Sequence, residues 1–158
     1  MRNLRVSSLR IPIAMLFTAW LCVACIGDKV YDHYEQVPVN GWDKNDVISY
    51  EIPPVDTDGL YDINLGLRTT GIYPFMSLSL VIQTEIVGRK TMTEKLLCHL
   101  VDHHGHAEGQ GVSYYQYDYH LSTLQLKQGD SLHISVHHNM MREMLPGISD
   151  MGIRLFRK

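Results

Sequence analysis

Cysteine is scarce in this chain of 158 residues, and two of the three cysteines, Cys22 and Cys25, lie within its first 25 positions. Only Cys98 remains for the rest of the sequence. A lone thiol cannot build an intramolecular disulfide framework, and no cysteine pair supports a structural zinc site. The chain must therefore fold around a hydrophobic core, and its 45% content of hydrophobic residues is ordinary for a globular protein.

A long hydrophobic run is also missing. The apolar stretch Ile11–Val23 has 13 residues, whereas a helix needs about 20 apolar residues to cross a bilayer. A membrane-spanning helix is therefore the weaker interpretation of this segment. Arg2, Arg5 and Arg10 precede it without any acidic residue, which is the layout of a secretory signal peptide.

The signal segment ends with a cysteine directly after a small residue, Ala24-Cys25. This arrangement resembles the lipobox of bacterial lipoproteins, in which the bond before the cysteine is cleaved and the cysteine becomes the lipidated first residue. Cys22 occupies the position three before Cys25, where the lipobox usually has an aliphatic residue, and Leu21 lies one position further back. We predict lipid attachment at Cys25. The alternative is an ordinary cleaved signal peptide.

An excess of positive charge is absent as well. The chain has 14 basic and 17 acidic residues, and removal of residues 1–24 would leave 11 basic and 17 acidic residues, a formal net charge of −6. A role in nucleic-acid binding is therefore disfavoured, because phosphate backbones are bound by clustered Lys and Arg. Anionic lipid headgroups would repel such a domain, so its attachment to a membrane would depend on acyl chains.

Alternation of apolar and polar residues replaces helical periodicity in the rest of the chain. In Tyr61–Arg68 every second residue is apolar, as a half-buried strand requires. Further strands are predicted at Val47–Ile52, Met76–Ile86, Tyr115–Tyr119, Leu132–Val136 and Ile153–Phe156, with a hairpin turn at Gly88–Lys90. We therefore predict an all-β fold, an antiparallel β-sandwich of jelly-roll-like type in a single domain.

The domain boundaries follow from these segments. We expect a lipoprotein signal peptide at 1–24, a lipidated N-terminus with a tether or first strand at 25–40, and the β-sandwich at 41–158. Thr93–Val101 fits both a helical and a strand pattern, and the neighbouring strands favour a strand. On a strand Cys98 would share a face with Leu96 and Leu100, which predicts a buried, unreactive thiol.

Nine histidines are the obvious candidates for metal ligands. On a strand, His133 and His137 would share a face but lie about 13 Å apart at ~3.3 Å per residue, too far for one ion. We interpret His103, His104 and His106 as a solvated polar loop. The alternatives are a metal site and a pH-sensitive contact. We predict no metal and no cofactor.

Motifs for catalysis are missing too. The sequence has no Gly-x-Ser-x-Gly elbow, no Gly-rich phosphate loop and no dinucleotide-binding fingerprint. Cys98 and His99 are adjacent, and adjacent strand residues point to opposite faces. We therefore predict no catalytic residues and no enzyme. A hydrolase whose carboxylates are brought together only by the fold stays open as an alternative.

Aromatic residues support a second alternative, a glycan-binding sandwich. Eight of them could contribute to an exposed stacking platform: Tyr31, Tyr34, Trp42, Tyr73, Tyr114, Tyr115, Tyr117 and Tyr119. We favour core filling for Trp42 and the alternate tyrosines. Three methionines, at positions 140, 141 and 144, could form an adaptable contact surface, but here too we favour core filling.

Four segments carry a resemblance to a known family: Val30–Tyr34, Gly41–Asp46, the glycine-punctuated stretch Leu100–Gly111 and, most specifically, His138–Arg154. They resemble the GldH family of gliding-motility lipoproteins of Bacteroidetes. The resemblance covers nearly the whole chain. It implies a lipid-anchored envelope protein of the machinery associated with gliding and type IX secretion, and it brings no catalytic residues with it.

The sequence therefore predicts a protein of the outer membrane that is lipid-anchored through Cys25 and displayed on its periplasmic or surface face. Its expected partners are other envelope proteins of the gliding and type IX secretion assembly, which it contacts directly. No nucleic acid and no small-molecule substrate are expected. The alternative function is glycan binding at the outer membrane.

Overall fold

The computed structural model of the protein describes residues 28–158. The predicted signal peptide and the predicted lipid attachment site Cys25 lie outside the described residues. Between residues 28 and 158 the chain forms ten strands and no helix: β1 (Lys29–Gln36), β2 (Trp42–Asp43), β3 (Ile48–Ile52), β4 (Gly59–Thr70), β5 (Ser77–Ile86), β6 (Lys90–His99), β7 (Tyr114–Leu126), β8 (Leu132–His138), β9 (Met144–Leu145) and β10 (Ile148–Arg157).

Eight of these strands form two four-stranded sheets. The first sheet has the order β1-β10-β4-β7 and the second sheet has the order β3-β8-β5-β6, with every pair antiparallel. This is the strand order of a jelly roll, in which the chain passes repeatedly between the two sheets. The predicted all-β antiparallel sandwich in a single domain is confirmed.

The core lies between the two sheets, where the alternate residues of the long strands face each other. Leu65 on β4 and Ile153 on β10 come from the first sheet, and Ile82 on β5 and Ile134 on β8 come from the second; all four are 0% exposed. Full burial of each such side chain contributes roughly 1.5–3 kcal/mol relative to its exposure. The period-two pattern read from the sequence therefore marks the core faces correctly.

The strand interpretation of Thr93–Val101 is confirmed for most of its length. β6 ends at His99, Cys98 is 0% exposed, and Leu97 beside it is 54% exposed. This alternation excludes the helical interpretation. Two predicted first residues lie outside their strands. Val47 precedes β3, which begins at Ile48, and Met76, which is 63% exposed, belongs to the loop before β5, which begins at Ser77.

Strand β1 is an edge strand that pairs with β10, and the side chain of Tyr34 attaches it further to the first sheet. The ring of Tyr34 lies across Gly152 of β10 and Gly66 of β4, and a Cβ atom at Gly152 would come 2.6 Å from that ring. The Arg68 guanidinium covers the ring at 4.2 Å, and the Gln116 amide donates a hydrogen bond to the Tyr34 hydroxyl. An aromatic ring laid over strand glycines fixes register. The segment before β1 is therefore joined to a rigid sheet.

The two ends of the sandwich differ. At one end lie the long connections, residues 37–47, 71–76, 100–113 and 139–147, and we call this the loop end. At the other end β1 begins and β10 finishes, with the Arg157 amide donating to the Asp28 carbonyl, and we call this the entry end. The connections at the entry end are short. Most of the residues that lie outside the strands are therefore at the loop end.

Candidate functional site

The loop end contains a buried aromatic pair, Trp42 and His138, which we call the plug, and the core filling predicted for Trp42 is confirmed. Trp42 on β2, which pairs with β9, is 0% exposed, and its indole N–H donates to the Asp46 carbonyl at 3.1 Å. Its ring packs edge-on against His138 with 5.3 Å between centroids. Both side chains of the plug are 0% exposed, so they form a buried base beneath the loops of this end.

His138 belongs to this plug and is not a ligand. The Met140 amide donates to Nδ1 at 3.4 Å, so the ring proton lies on Nε2, which donates to the Trp42 carbonyl at 3.3 Å. Burial lowers the pKa of His138, although the Trp42 carbonyl acts in the opposite direction. The side chain is therefore held neutral. His133 and His137, on alternate positions of β8, are half-buried on the outer face of the second sheet, where His133 contacts Glu51 at 2.6 Å.

The histidine loop is organised by an aspartate. The Asp102 carboxylate accepts hydrogen bonds from the amides of His106 and His104, each at 2.8 Å, and these bonds hold the pKa of Asp102 below its usual range. The imidazoles of His103, His104 and His106 belong to exposed residues. Across residues 28–158, no three His, Cys, Asp or Glu side chains come together in a way that could hold a metal ion.

The alternating tyrosines of β7 point into the sandwich. Tyr115, Tyr117 and Tyr119 pair with inward-facing residues of β4. The Tyr117 hydroxyl donates to the Leu100 carbonyl at 3.1 Å, and the Tyr119 hydroxyl donates to the His99 carbonyl at 2.6 Å. The tyrosines thus fill one side of the core and hold the end of β6 against β7. Tyr114, which begins β7, is 60% exposed.

Exposed apolar side chains gather at the loop end. Val39 is 103% exposed, Ile72 is 71% exposed, and both line one depression of about 380 Å³ together with Tyr114. Met141 is 100% exposed, so the expectation of core filling was wrong for this residue, whereas Met140 packs against the core. Single scattered apolar residues are ordinary on a surface, whereas a group of them on neighbouring loops is a candidate contact surface.

A more polar depression of about 590 Å³ lies beside β7, lined in part by His99, Glu108, Gln116 and Asp118. Two of these groups are already engaged within the first sheet. Asp118 forms an ion pair with Arg154, and the Gln116 amide connects Arg68 to Tyr34. These two polar side chains of the depression are therefore already paired with neighbouring residues of the first sheet.

The match to a known family gives these features their context. The family model described as GldH lipoprotein matches residues 29–155, which span the whole folded domain from β1 to β10. The chain belongs to the GldH lipoprotein family. The resemblance to GldH seen in the sequence is thereby confirmed.

Two relatives extend over the same length. The gliding motility lipoprotein GldH of Flavobacterium johnsoniae is 26% identical over 154 residues, which cover 91% of this chain and 94% of the relative. A GldH homolog of Christiangramia forsetii is 22% identical over 149 residues, covering 89% and 91%. The family is one of gliding-motility lipoproteins, so this chain is a lipoprotein of that class.

Solved structures show only distant likeness. A region of a family GH115 4-O-methyl-α-glucuronidase is 12% identical with a TM-score of 0.48, covering 83% of this chain and 18% of that one. A carbohydrate-binding module of a Cellvibrio mixtus lichenase is 15% identical with a TM-score of 0.37, covering 83% and 90%. Likeness at this level concerns the β-sandwich and is no guide to ligands. Within residues 28–158, nothing helical has the length and apolar character needed to span a bilayer.

Proposed function

We propose that this protein is held at the outer membrane by a lipid on Cys25 and works by protein contact within the gliding-motility and type IX secretion machinery. The match of the GldH lipoprotein family to residues 29–155 carries this proposal. The relatives with this family name are gliding-motility lipoproteins, and they align with nearly the whole chain.

Membrane attachment by lipid also fits the charge of the domain. With a formal net charge of −6 after removal of residues 1–24, the domain has no electrostatic attraction to anionic headgroups. One acyl chain binds membranes only marginally, whereas several chains on one cysteine hold a protein firmly. A tethered domain stays close to its partners, so that even a weak interface remains occupied.

Glycan binding receives less support. It needs aromatic rings that are open to solvent. Tyr117 is buried and Tyr115 and Tyr119 are half-buried, although Tyr117 and Tyr119 line the polar depression and Tyr114 is 60% exposed. The ring of Tyr34 does lie on the outer face of the first sheet, yet Arg68 covers it at 4.2 Å. A sugar would have to displace this guanidinium before it could stack on the ring.

The test of the anchor is the Cys25→Ala variant of the full chain in its own organism. We expect it to lose metabolic labelling with palmitate and to leave the membrane fraction. Cys22→Ala, which removes the other cysteine of the signal segment, should label normally. Unchanged labelling of Cys25→Ala would contradict the anchor.

The test of the system is deletion of the gene. We expect reduced secretion of cargo proteins that carry the type IX C-terminal signal, restored by the wild-type gene and not by Cys25→Ala. Normal secretion and motility in the deletion strain, together with polysaccharide binding by the purified domain, would favour the glycan-binding alternative.

A further inference from the structure

The depression at the loop end, which we call the apolar groove, has exposed walls and a buried floor. Its walls are Val39 and Ile72, which belong to two different connections, and Tyr114, which begins β7. Its floor includes Val37 and Ile148, which are 5% and 4% exposed and belong to the core cluster. The walls therefore present apolar surface to water directly above the end of the core.

The loops that form the groove are held by backbone hydrogen bonds. The Thr70 amide donates to the Gly147 carbonyl at 2.7 Å, and the Tyr73 amide donates to the Thr70 carbonyl at 3.2 Å. Gly147 has φ of +83°, and a Cβ atom there would come 2.5 Å from the Tyr73 nitrogen. Two loops thus meet at a contact that only glycine allows. A surface that is already ordered loses less conformational entropy when a partner binds.

The loop end that carries the groove is acidic. Its four connections carry five acidic residues and two basic residues, Lys44 and Arg142. We call these five acidic residues the acidic rim of the loop end; they are Asp43, Asp46, Asp102, Glu108 and Glu143. Asp150 adds a carboxylate to the lining of the groove itself and is the only charged residue among those that line it within residues 28–158. Complementary charge steers partners and sets specificity. The occupant should therefore bring basic residues to the loop end.

The groove lies at the opposite end of the sandwich from the predicted anchor. Only residues 26–28 separate Cys25 from β1, which begins at the entry end. Strand β4 spans the sandwich with 12 residues, which at ~3.3 Å per residue is about 40 Å. The acidic rim of the loop end disfavours a second copy of the same surface.

We infer that the apolar groove is the docking site for a protein partner that inserts an aliphatic or aromatic side chain between Val39, Ile72 and Tyr114 and places Lys or Arg against the acidic rim. This inference rests on the proposed function, since it assumes a tether at Cys25 and a partner in the envelope. It assigns the contact to the end of the domain that faces away from the anchor.

The experiment uses a photo-crosslinking amino acid at position 39 of the full-length protein in its own organism. We expect one discrete adduct with another protein, and a crosslinked peptide with basic residues beside an apolar one. Adding Ile72→Asp should lower the adduct at least fivefold. Val87→Asp, at a 51% exposed position of the entry end, is the matched control and should leave the adduct unchanged.

The rim is tested by the double variant Glu108→Lys, Glu143→Lys, which should also lower the adduct severalfold. All variants change exposed residues, and unchanged thermal unfolding checks that they fold. An adduct with a second copy, an adduct with lipid, or an adduct indifferent to Ile72→Asp would overturn the inference. If deletion of the gene impairs secretion while Ile72→Asp secretes normally, the docking site fails and the proposed function stands. If deletion itself has no effect, the proposed function fails.

Discussion

The thiol of Cys98 shows how a single residue follows from the strand pattern. It lies on the inner face of β6, 0% exposed, and burial raises its pKa to about 12. Because the thiolate is the reactive form, a maleimide should label the native protein slowly and the urea-unfolded protein fast. The matched control is Leu97→Cys in a Cys98→Ala background, where the neighbouring position points outward and should label rapidly in the native state. Rapid native labelling of Cys98 itself would contradict its position in the core.

His138 gives the protein a pH dependence that can be assigned to one residue. Its pKa in the folded state is lowered by burial, whereas in the unfolded chain it takes up a proton near pH ~6.5. The unfolded state therefore binds more protons, and the free energy of unfolding should fall as the pH decreases below about 6.5. Urea midpoints measured between pH 7.5 and 5.5 test this. His138→Gln should flatten the dependence, while His137→Gln, on the outer face, should preserve it; equal slopes in both variants would refute the assignment.

At the scale of an element, the attachment of β1 depends on the packing of Tyr34 on glycine. Gly152→Ala places a methyl group against the Tyr34 ring, and we expect it to lower the free energy of unfolding by about 1–3 kcal/mol, as overpacking does. The cost should largely disappear in a Tyr34→Ala background, because the clash is then absent. Gly71→Ala, at a position with open space around it, should change stability by less than about 0.5 kcal/mol. Denaturant unfolding of the four variants measures the coupling, and additive effects would show that Tyr34 does not rest on Gly152.

The histidine loop is a second element, and its structural role can be tested separately from any role in secretion. Asp102 organises this loop mainly through the backbone amides of His104 and His106, and the His106 imidazole adds a longer contact of 3.4 Å to the same carboxylate. Simultaneous replacement of His103, His104 and His106 by Ala should leave secretion and protein level unchanged. Asp102→Ala is the contrasting variant, since it removes the acceptor of two amides and should loosen the loop. Loss of secretion in the triple variant, at normal protein level, would restore a metal-binding or pH-sensing role.

At the scale of the whole molecule, the two ends of the sandwich carry different features. The entry end receives the chain within a few residues of Cys25, and the loop end carries the apolar groove and the Trp42 plug. The jelly-roll order produces this division, because the connections 37–47, 71–76, 100–113 and 139–147 leave the sheets at one end. The sandwich therefore places the apolar groove at the end opposite the start of β1.

The sequence by itself determined the fold class and the core. Alternation in Tyr61–Arg68 and Met76–Ile86 marks inward positions because a strand has a period of two, and this requires no knowledge of what lies opposite. The segments that resemble the GldH family likewise identified it from local residues alone. The ambiguous stretch Thr93–Val101 could be assigned only through its neighbours, since short apolar runs fit both periods.

Only the tertiary structure decided which residues meet across long separations. Met140 and Met141 are adjacent and chemically identical, yet one packs on the core and the other is fully exposed, because the turn after β8 directs them differently. The groove gathers Val39 and Ile72 from two connections and Tyr114 from the start of β7, and no local pattern records that proximity. His138 and Trp42 lie 96 residues apart in the chain, and their contact depends on the pairing of β2 with β9. Such contacts follow from chain topology, which short-range periodicity does not encode.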